Sequence, residues 1–249
     1  MGRTIGIIQA RAGSTRLPGK VLAPLAGTTI LGALVSRTAP AAVDEWWLAT
    51  TDRPEDDDTA AEGRRLGLRI FRGSVEDVLS RFTAVVREVQ PEIVVRLTAD
   101  DPYTDGVVID LLLRSLGAAG PSVALVGDEG ETRRLPLGYV PEAVRAGALL
   151  QAETAIGTEQ AWHRTHVTSW LREHGLAEPL GVPAGWPSRP AWRWTVDTGE
   201  DLEAARAAFA RFGERWSAIG YPEMAVILDA HPEVMARNAG VRQKAVDEG

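Results

Sequence analysis

The chain of 249 residues has no cysteine at all. That excludes a disulfide framework, a thiolate metal site and a cysteine nucleophile. Lysine is almost missing as well. Of 27 basic residues only Lys20 and Lys244 are lysine, and the others are arginine. Such a bias is usually a genome's G+C preference, yet a chain that uses arginine almost everywhere keeps an ammonium at position 20. A compact ammonium and a planar guanidinium are not interchangeable beside a phosphate. Positive charge is also short overall, with a formal net charge of −7. A basic nucleic-acid surface or a contact with an anionic membrane is therefore not expected. No apolar run approaches the ~18 residues of a membrane-spanning helix. The N-terminus enters a strand pattern at once, without the charged and apolar regions of a leader, so a cytoplasmic location is expected.

What is present is an alternation. The segments 4–9, 44–50, 68–71, 92–98 and 122–127 read as strands, several with continuous apolar centres. Helical patterns lie between them at 29–38, 55–67, 75–89 and 105–118. This predicts an α/β fold, a doubly wound, mainly parallel sheet covered on both faces. After residue 127 the pattern loosens. A polar Gly/Pro-rich loop begins at about 128, helices are predicted at 141–154 and 158–174, and turn-linked strands from 177 to 197. Further helices are predicted at 198–213, with Thr198 as its cap, and at 222–239. Six of the eight tryptophans follow residue 160, and they are expected to fill core and interface. No repeat or long linker divides the chain.

The stretch "QARAGSTRLPGK", Gln9 to Lys20, gathers three cations and two glycines directly after the first strand. The first strand-to-helix connection of a doubly wound sheet is where phosphates bind. Gly13 and Gly19 allow close backbone approach, while Arg11, Arg16 and Lys20 bring charge. The spacing matches neither G-x-x-x-x-G-K-[ST] nor G-x-G-x-x-G. A basic surface turn would look the same, with Lys20 exposed on it. Asp100, in "TADDP", ends a buried strand at the edge where ligands collect, although it or Asp101 would serve equally as a helix cap. Asp197 would serve as a helix first-turn acid.

"IIQARAGSTRLPGKVLAPLAG" closely resembles the N-terminal signature of the sugar-activating cytidylyltransferases. The nearest branch is the spore-coat polysaccharide type, related to the enzymes that activate 3-deoxy-manno-octulosonic acid and acylneuraminates. "FRGSVEDVLSRF", "VRLTADDPYTD" and "WTVDTGEDLE" resemble later motifs of that branch, in the right order over some 200 residues. The resemblance implies one nucleotidyltransferase domain, GT-A-like, over residues 1–249. Residues 1–127 would form the nucleotide half, and 128–249 the acceptor half, carrying the metal aspartate and the dimer contact that the resemblance implies. The implied activity is transfer of CMP from CTP to a small acidic or phosphorylated acceptor, with Mg²⁺ as cofactor and pyrophosphate released. Partners would be CTP, the acceptor and a second copy of the chain.

By the same resemblance, Arg11, Lys20, Asp100 and Asp197 carry catalysis, the two aspartates as metal ligands. Gln9, Ala10, Gly13, Ser14 and Arg16 join Arg11 and Lys20 in holding the nucleotide, with Gly73 and Ser74 near base and ribose and Arg81 as a basic residue at the nucleotide site. Tyr139, Glu142, Arg164 and His166 are expected at the acceptor. Here the chain departs from the branch. Val140 and Thr165 stand where acids are usual, and Asp101 where cysteine or glutamate is usual. These changes leave the sugar open. Other readings are another NTP as donor, a glycosyltransferase using a nucleotide sugar, and a catalytically silent nucleotide-binding module.

Overall fold

The structure, a computed structural model, describes residues 2–117, 120–126 and 133–243. The chain runs through β1 (Thr4–Gln9), β2 (Pro24–Leu25), β3 (Thr28–Thr29), α1 (Ile30–Thr38), β4 (Glu45–Thr51), α2 (Asp57–Arg65), β5 (Arg69–Gly73), α3 (Val78–Val89) and β6 (Ile93–Thr98). It continues through α4 (Gly106–Leu116), β7 (Val123–Val126), β8 (Glu142–Arg145), α5 (Ala146–Ala155), α6 (Trp162–His166), α7 (Ser169–Glu173), β9 (Ala177–Leu180), α8 (Gly199–Phe212), α9 (Tyr221–Asp229) and α10 (Pro232–Met235). Among the described residues, seven strands form one sheet in the order β5-β4-β1-β6-β8-β7-β9. Only β8 runs against its neighbours.

The expected α/β sheet is therefore present, with apolar residues on both faces. Ile8, Leu48, Val95 and Leu97 pack under α1, α4, α8 and α9. Ile5, Ile7, Val94 and Val144 face α3, α5 and α7. Burial on both sides removes the polar alternation that a half-solvated strand would show. Helix starts are set by side chains. Asp77 accepts from the Ser80 amide, Asp105 from Val107 and Val108, and Thr198 forms a reciprocal capping box with Asp201. Since Asp105 caps α4, neither Asp100 nor Asp101 is needed for that task.

Three expectations are corrected. The helix predicted at 141–154 begins only at Ala146, because residues 142–145 pair as a strand with both β6 and β7. The helix predicted at 158–174 breaks at Val167, whose φ of 58° and ψ of −60° close a three-residue turn from the Thr168 amide to the His166 carbonyl at 2.6 Å. The helix predicted at 222–239 is α9, α10 and a final 3₁₀ turn. From 177 to 197, β9 is the one named strand. The start of the loop expected from about 128 lies outside the described residues.

The segment after β9 matters for function because of where it is tied. Leu137 and Arg193 form an isolated parallel bridge. The Trp194 amide donates to the Leu137 carbonyl at 2.7 Å, and the Val196 amide to the Asp100 carbonyl at 2.8 Å. Trp194, fully buried, stacks on Tyr103 at 4.6 Å between ring centroids. These contacts carry the end of the segment to the carboxyl end of β6. Gly138 sits inside this crossing with φ +90°; a Cβ there would lie 2.4 Å from the Thr195 amide nitrogen and 2.7 Å from Asp101 Oδ1. Gly138→Ala is therefore expected to lower unfolding free energy by about 2 kcal/mol or more. Chemical denaturation checks this, and an unchanged midpoint would contradict it.

Candidate active site

β1 and β6 are parallel neighbours, with Gln9 opposite Thr98. Their carboxyl ends therefore open side by side, and the loop from Ala10 to Gly19 rises beside Asp100. The Ala12 carbonyl accepts from the amides of Ser14 and Gly19 at 2.8 and 3.0 Å. The Ala12 amide is held by Asp56 Oδ1 at 2.6 Å. Gly19 takes φ +66°, a left-handed conformation that lets the chain turn directly into the 3₁₀ turn Lys20–Leu22.

Lys20 is the centre of the arrangement. It is buried, not exposed as a surface turn would have it, and that expectation is corrected. Its Nζ lies 2.5 Å from Asp100 Oδ2 and 2.7 Å from Asp197 Oδ1. Two carboxylates nearly a hundred positions apart thus meet on one ammonium. Burial works against the charge on Lys20, but Asp100 and Asp197 outweigh it and raise its pKa above the usual lysine value. Burial likewise opposes ionisation of Asp197, and Lys20, Arg193 and Arg16 overcome it, leaving the carboxyl below its ordinary range. Arg193 donates to Asp197 Oδ2 at 2.6 Å and to Asp201 at 2.9 Å. Arg16 reaches Asp197 at 3.1 Å.

Asp101 behaves differently. It is buried and accepts hydrogen bonds from the hydroxyls of Thr98 and Thr195. Burial and the neighbouring Asp100 push its pKa up to about 8. Side by side, then, Asp100 faces the cation while Asp101 is a carboxyl whose ionisation its buried surroundings oppose.

A cleft of about 370 Å³ opens above this cluster. Of the residues expected on sequence grounds, Gln9, Ala10, Arg11, Gly13, Ser14, Arg16, Lys20, Arg81, Asp100 and Asp197 line it. Gly73 does not line it, and Ser74 borders a separate hollow with Asp52, Arg53 and Glu76. Arg81 has Nη1 on the Ala49 carbonyl at 3.2 Å, while its buried Nε has no hydrogen-bond partner among the described residues. Burial and nearby Arg11 draw its pKa down to about 10.

The four expected acceptor contacts are not on the cleft wall. Tyr139 is fully buried, its hydroxyl donating to Asp105 at 2.7 Å inside the aromatic core. Glu142 is also fully buried, between Arg96, Arg172 and Thr168. Neither side chain has exposed surface in this structure, which differs from the direct contact expected of both. Arg164 ties α6 to the start of α3 through Asp77 at 2.7 Å. His166 lies near Trp162, and its neighbour Thr165 reaches the cleft instead. His163 is buried, with Nδ1 2.8 Å from the Ser169 hydroxyl. Sequence reasoning passed over Thr98, Thr15 and Val78 in the cleft, and Arg193 behind Asp197. Arg193 lies four residues before Asp197 in a non-helical segment, where that spacing carries no signal of a pair.

Comparison with known proteins decides the family. A cytidylyltransferase family model matches residues 5–183. The chain belongs to the cytidylyltransferase family. It is 34% identical over 241 residues to the spore coat polysaccharide biosynthesis protein SpsF of Bacillus subtilis (strain 168), covering 94% of this chain and 97% of that one. It is 30% identical to a 3-deoxy-manno-octulosonate cytidylyltransferase of Anaeromyxobacter dehalogenans (strain 2CP-C), covering 82% and 96%. The fold matches a solved cytidylyltransferase of Leptospira borgpetersenii with a TM-score of 0.85 at 24% identity, over 98% of this chain and 100% of that chain. This cytidylyltransferase is accordingly a nucleotidyltransferase enzyme. Among the described residues no helix is long and apolar enough to cross a membrane.

Two outcomes follow. Lys20→Ala leaves two carboxylates facing one another without their cation, so a stability loss of about 2–4 kcal/mol is expected, read by denaturation. A loss under about 0.5 kcal/mol, as for an ordinary surface residue, would contradict the burial. Asp101→Asn preserves shape and removes a titrating acid. An acid whose folded pKa is raised loses stability as pH climbs from its unfolded to its folded value. The melting-temperature advantage of Asp101→Asn over wild type should therefore grow between about pH 4 and 8 and level off above. An advantage independent of pH would contradict the assignment.

Proposed function

We propose that this cytidylyltransferase transfers CMP from CTP to a small acidic or phosphorylated acceptor, a sugar acid or similar, with release of pyrophosphate. The observation that carries this reading is the meeting of Lys20, Asp100 and Asp197 beneath the loop from Gln9 to Lys20. A cleft with cations on its loop and two convergent carboxylates on its floor suits a polyphosphate together with a divalent cation.

The donor set supports a metal of that kind. Among the described residues no group of three or more His, Cys, Asp or Glu side chains converges to cage an ion. Two carboxylates do converge, close enough to share one ammonium. That fits Mg²⁺, which is usually held by one or two carboxylates with substrate phosphates and water completing its shell. Asp100 and Asp197 would hold the ion, and it would supply Lewis-acid polarisation of the α-phosphoryl group.

The remaining work belongs to the chain. Loop amides and Arg11, Arg16 and Lys20 bind the triphosphate and fix the α-phosphorus over β1 and β6. An acceptor oxygen, giving up to solvent any proton it carries, attacks that phosphorus in line. The bond to the oxygen bridging to the β-phosphate breaks, and pyrophosphate departs with its electrons. Charge growing on the leaving group is offset by Lys20 and the loop arginines. No covalent enzyme intermediate is required. Lys20 changes partners in this scheme, leaving the carboxylates for phosphate as the nucleotide arrives.

A pyrophosphate-release assay with CTP, Mg²⁺ and a panel of sugar acids and phosphorylated acceptors tests this. Release is expected with CTP and is expected to stop with chelator. Asp100→Asn and Asp197→Asn should each lower kcat by about 10²-fold or more, with partial recovery at high Mg²⁺. Asp101→Asn should stay within about tenfold of wild type, as for a group outside the reacting atoms. Activity surviving exhaustive chelation, or Asp101→Asn as the crippled variant, would overturn the reading.

A further inference from the structure

Gln9 ends β1 and lines the cleft, but its side chain is not free to turn. Arg96, on the adjacent strand, donates to Gln9 Oε1 from Nε at 3.2 Å and from Nη2 at 3.1 Å. The third arm of the same guanidinium, Nη1, donates to Glu142 Oε2 at 2.7 Å. Glu142 has no exposed surface. It is held in turn by Arg172 and by the Thr168 hydroxyl, which donates to both carboxylate oxygens at 2.9 and 3.0 Å. Burial would raise the Glu142 pKa, yet Arg96 and Arg172 more than offset it and keep the carboxyl below its ordinary range.

A guanidinium carries donors only, so the amide atom that meets it must be the oxygen. The Gln9 nitrogen is thereby turned the other way. Among the described residues no protein acceptor takes a hydrogen bond from Gln9 Nε2. An ordinary glutamine presents either a donor or an acceptor by flipping its amide. Here a flip would set Nε2 against Arg96 and strand two of its donors. The charge on Arg96 also polarises the amide, which strengthens its N–H groups as donors.

We propose that Gln9 is a donor-only contact to an anionic oxygen on the CMP portion of the nucleotide, and that Glu142, through Arg96, is the positioning residue that holds it so. The inference rests on the proposed transfer reaction. Gln9 immediately precedes the loop that carries Arg11 and Lys20, and Arg81 lines the same cleft. A fixed N–H donor among these cations suits a phosphoryl oxygen and rejects a group that can only donate. It also explains why a glutamate expected at the acceptor is sealed inside the protein, where it acts on the substrate only through two other side chains.

Gln9→Glu and Gln9→Met test this. Glutamate keeps the length and gives Arg96 a full carboxylate, so the melting temperature should match or exceed that of wild type. It removes both N–H donors and turns negative charge toward the cleft. Binding of CTP, CMP and pyrophosphate, each with Mg²⁺, is measured by calorimetry. Affinity for CTP and CMP should fall by about a hundredfold in Gln9→Glu and about tenfold in Gln9→Met, while pyrophosphate, which lacks the CMP portion, should bind as in wild type. In a double-mutant cycle, Glu142→Gln should weaken CMP binding in wild type and have no further effect in the Gln9→Met background. A purely structural glutamate would lose affinity equally in both. Should Glu142→Gln fail to fold, the Gln9 variants alone decide. Unchanged CTP and CMP binding in both Gln9 variants, or a change only in acceptor KM, would overturn the inference alone. A wild-type protein that binds none of the three ligands would overturn the transfer reaction and this inference with it.

Discussion

The architecture of the site depends on one ammonium held between two carboxylates. Lys20 comes from the turn after the first strand, Asp100 from the end of β6, and Asp197 from the segment leading into α8. Without a cation between them, two aspartates at this distance would repel in a poorly solvated pocket. The rest of the fold serves to bring them there. Parallel pairing of β1 and β6 sets the first two side by side. The bridge at Leu137 and Arg193, and the stacking of Trp194 on Tyr103, bring in the third. The loop's positive charge, odd in so acidic a chain, is matched to this acidic floor. The same charges suit a polyphosphate, because a cation set that balances carboxylates can balance phosphate oxygens by exchanging partners.

Behind the cleft lies a second polar layer. Gln9, Arg96, Glu142, Thr168 and Arg172 form a continuous chain from the cleft floor to α7. Buried charge of this kind is rarely a source of net stability, because desolvation roughly cancels the attraction. It does fix orientation. The turn at Val167, a β-branched residue at positive φ, carries local strain that the Thr168 hydroxyl bond to Glu142 helps hold in place.

Much of this was legible in the sequence. Apolar runs at 4–9, 44–50 and 92–98 marked the central strands because they are buried on both faces. The glycine-and-cation loop stood out because that mixture directly after a first strand is unusual, and its residues line the cleft. What stayed hidden has physical causes. β8 is four residues long and includes a glutamate and an arginine, so nothing in its pattern announces a central strand. The break at Val167 has no glycine or proline to signal it. Lys20 looked exposed because the two aspartates that bury it are distant in sequence. Glu142 was expected at the acceptor by resemblance alone, while its enclosure by Arg96 and Arg172 belongs to the tertiary structure.

The near absence of lysine gives direct access to the central interaction. With lysine labelled by ¹⁵N, the protein carries only two side-chain ammonium groups, Lys20 and Lys244, and Lys20→Arg assigns them by deletion. The account predicts a Lys20 ammonium signal that stays visible through slowed proton exchange, because the group is buried and doubly ion-paired. It also predicts that this signal moves when CTP and Mg²⁺ are added together. A Lys20 signal lost to rapid solvent exchange, as for a lysine on an open surface, and indifferent to CTP with Mg²⁺, would contradict it.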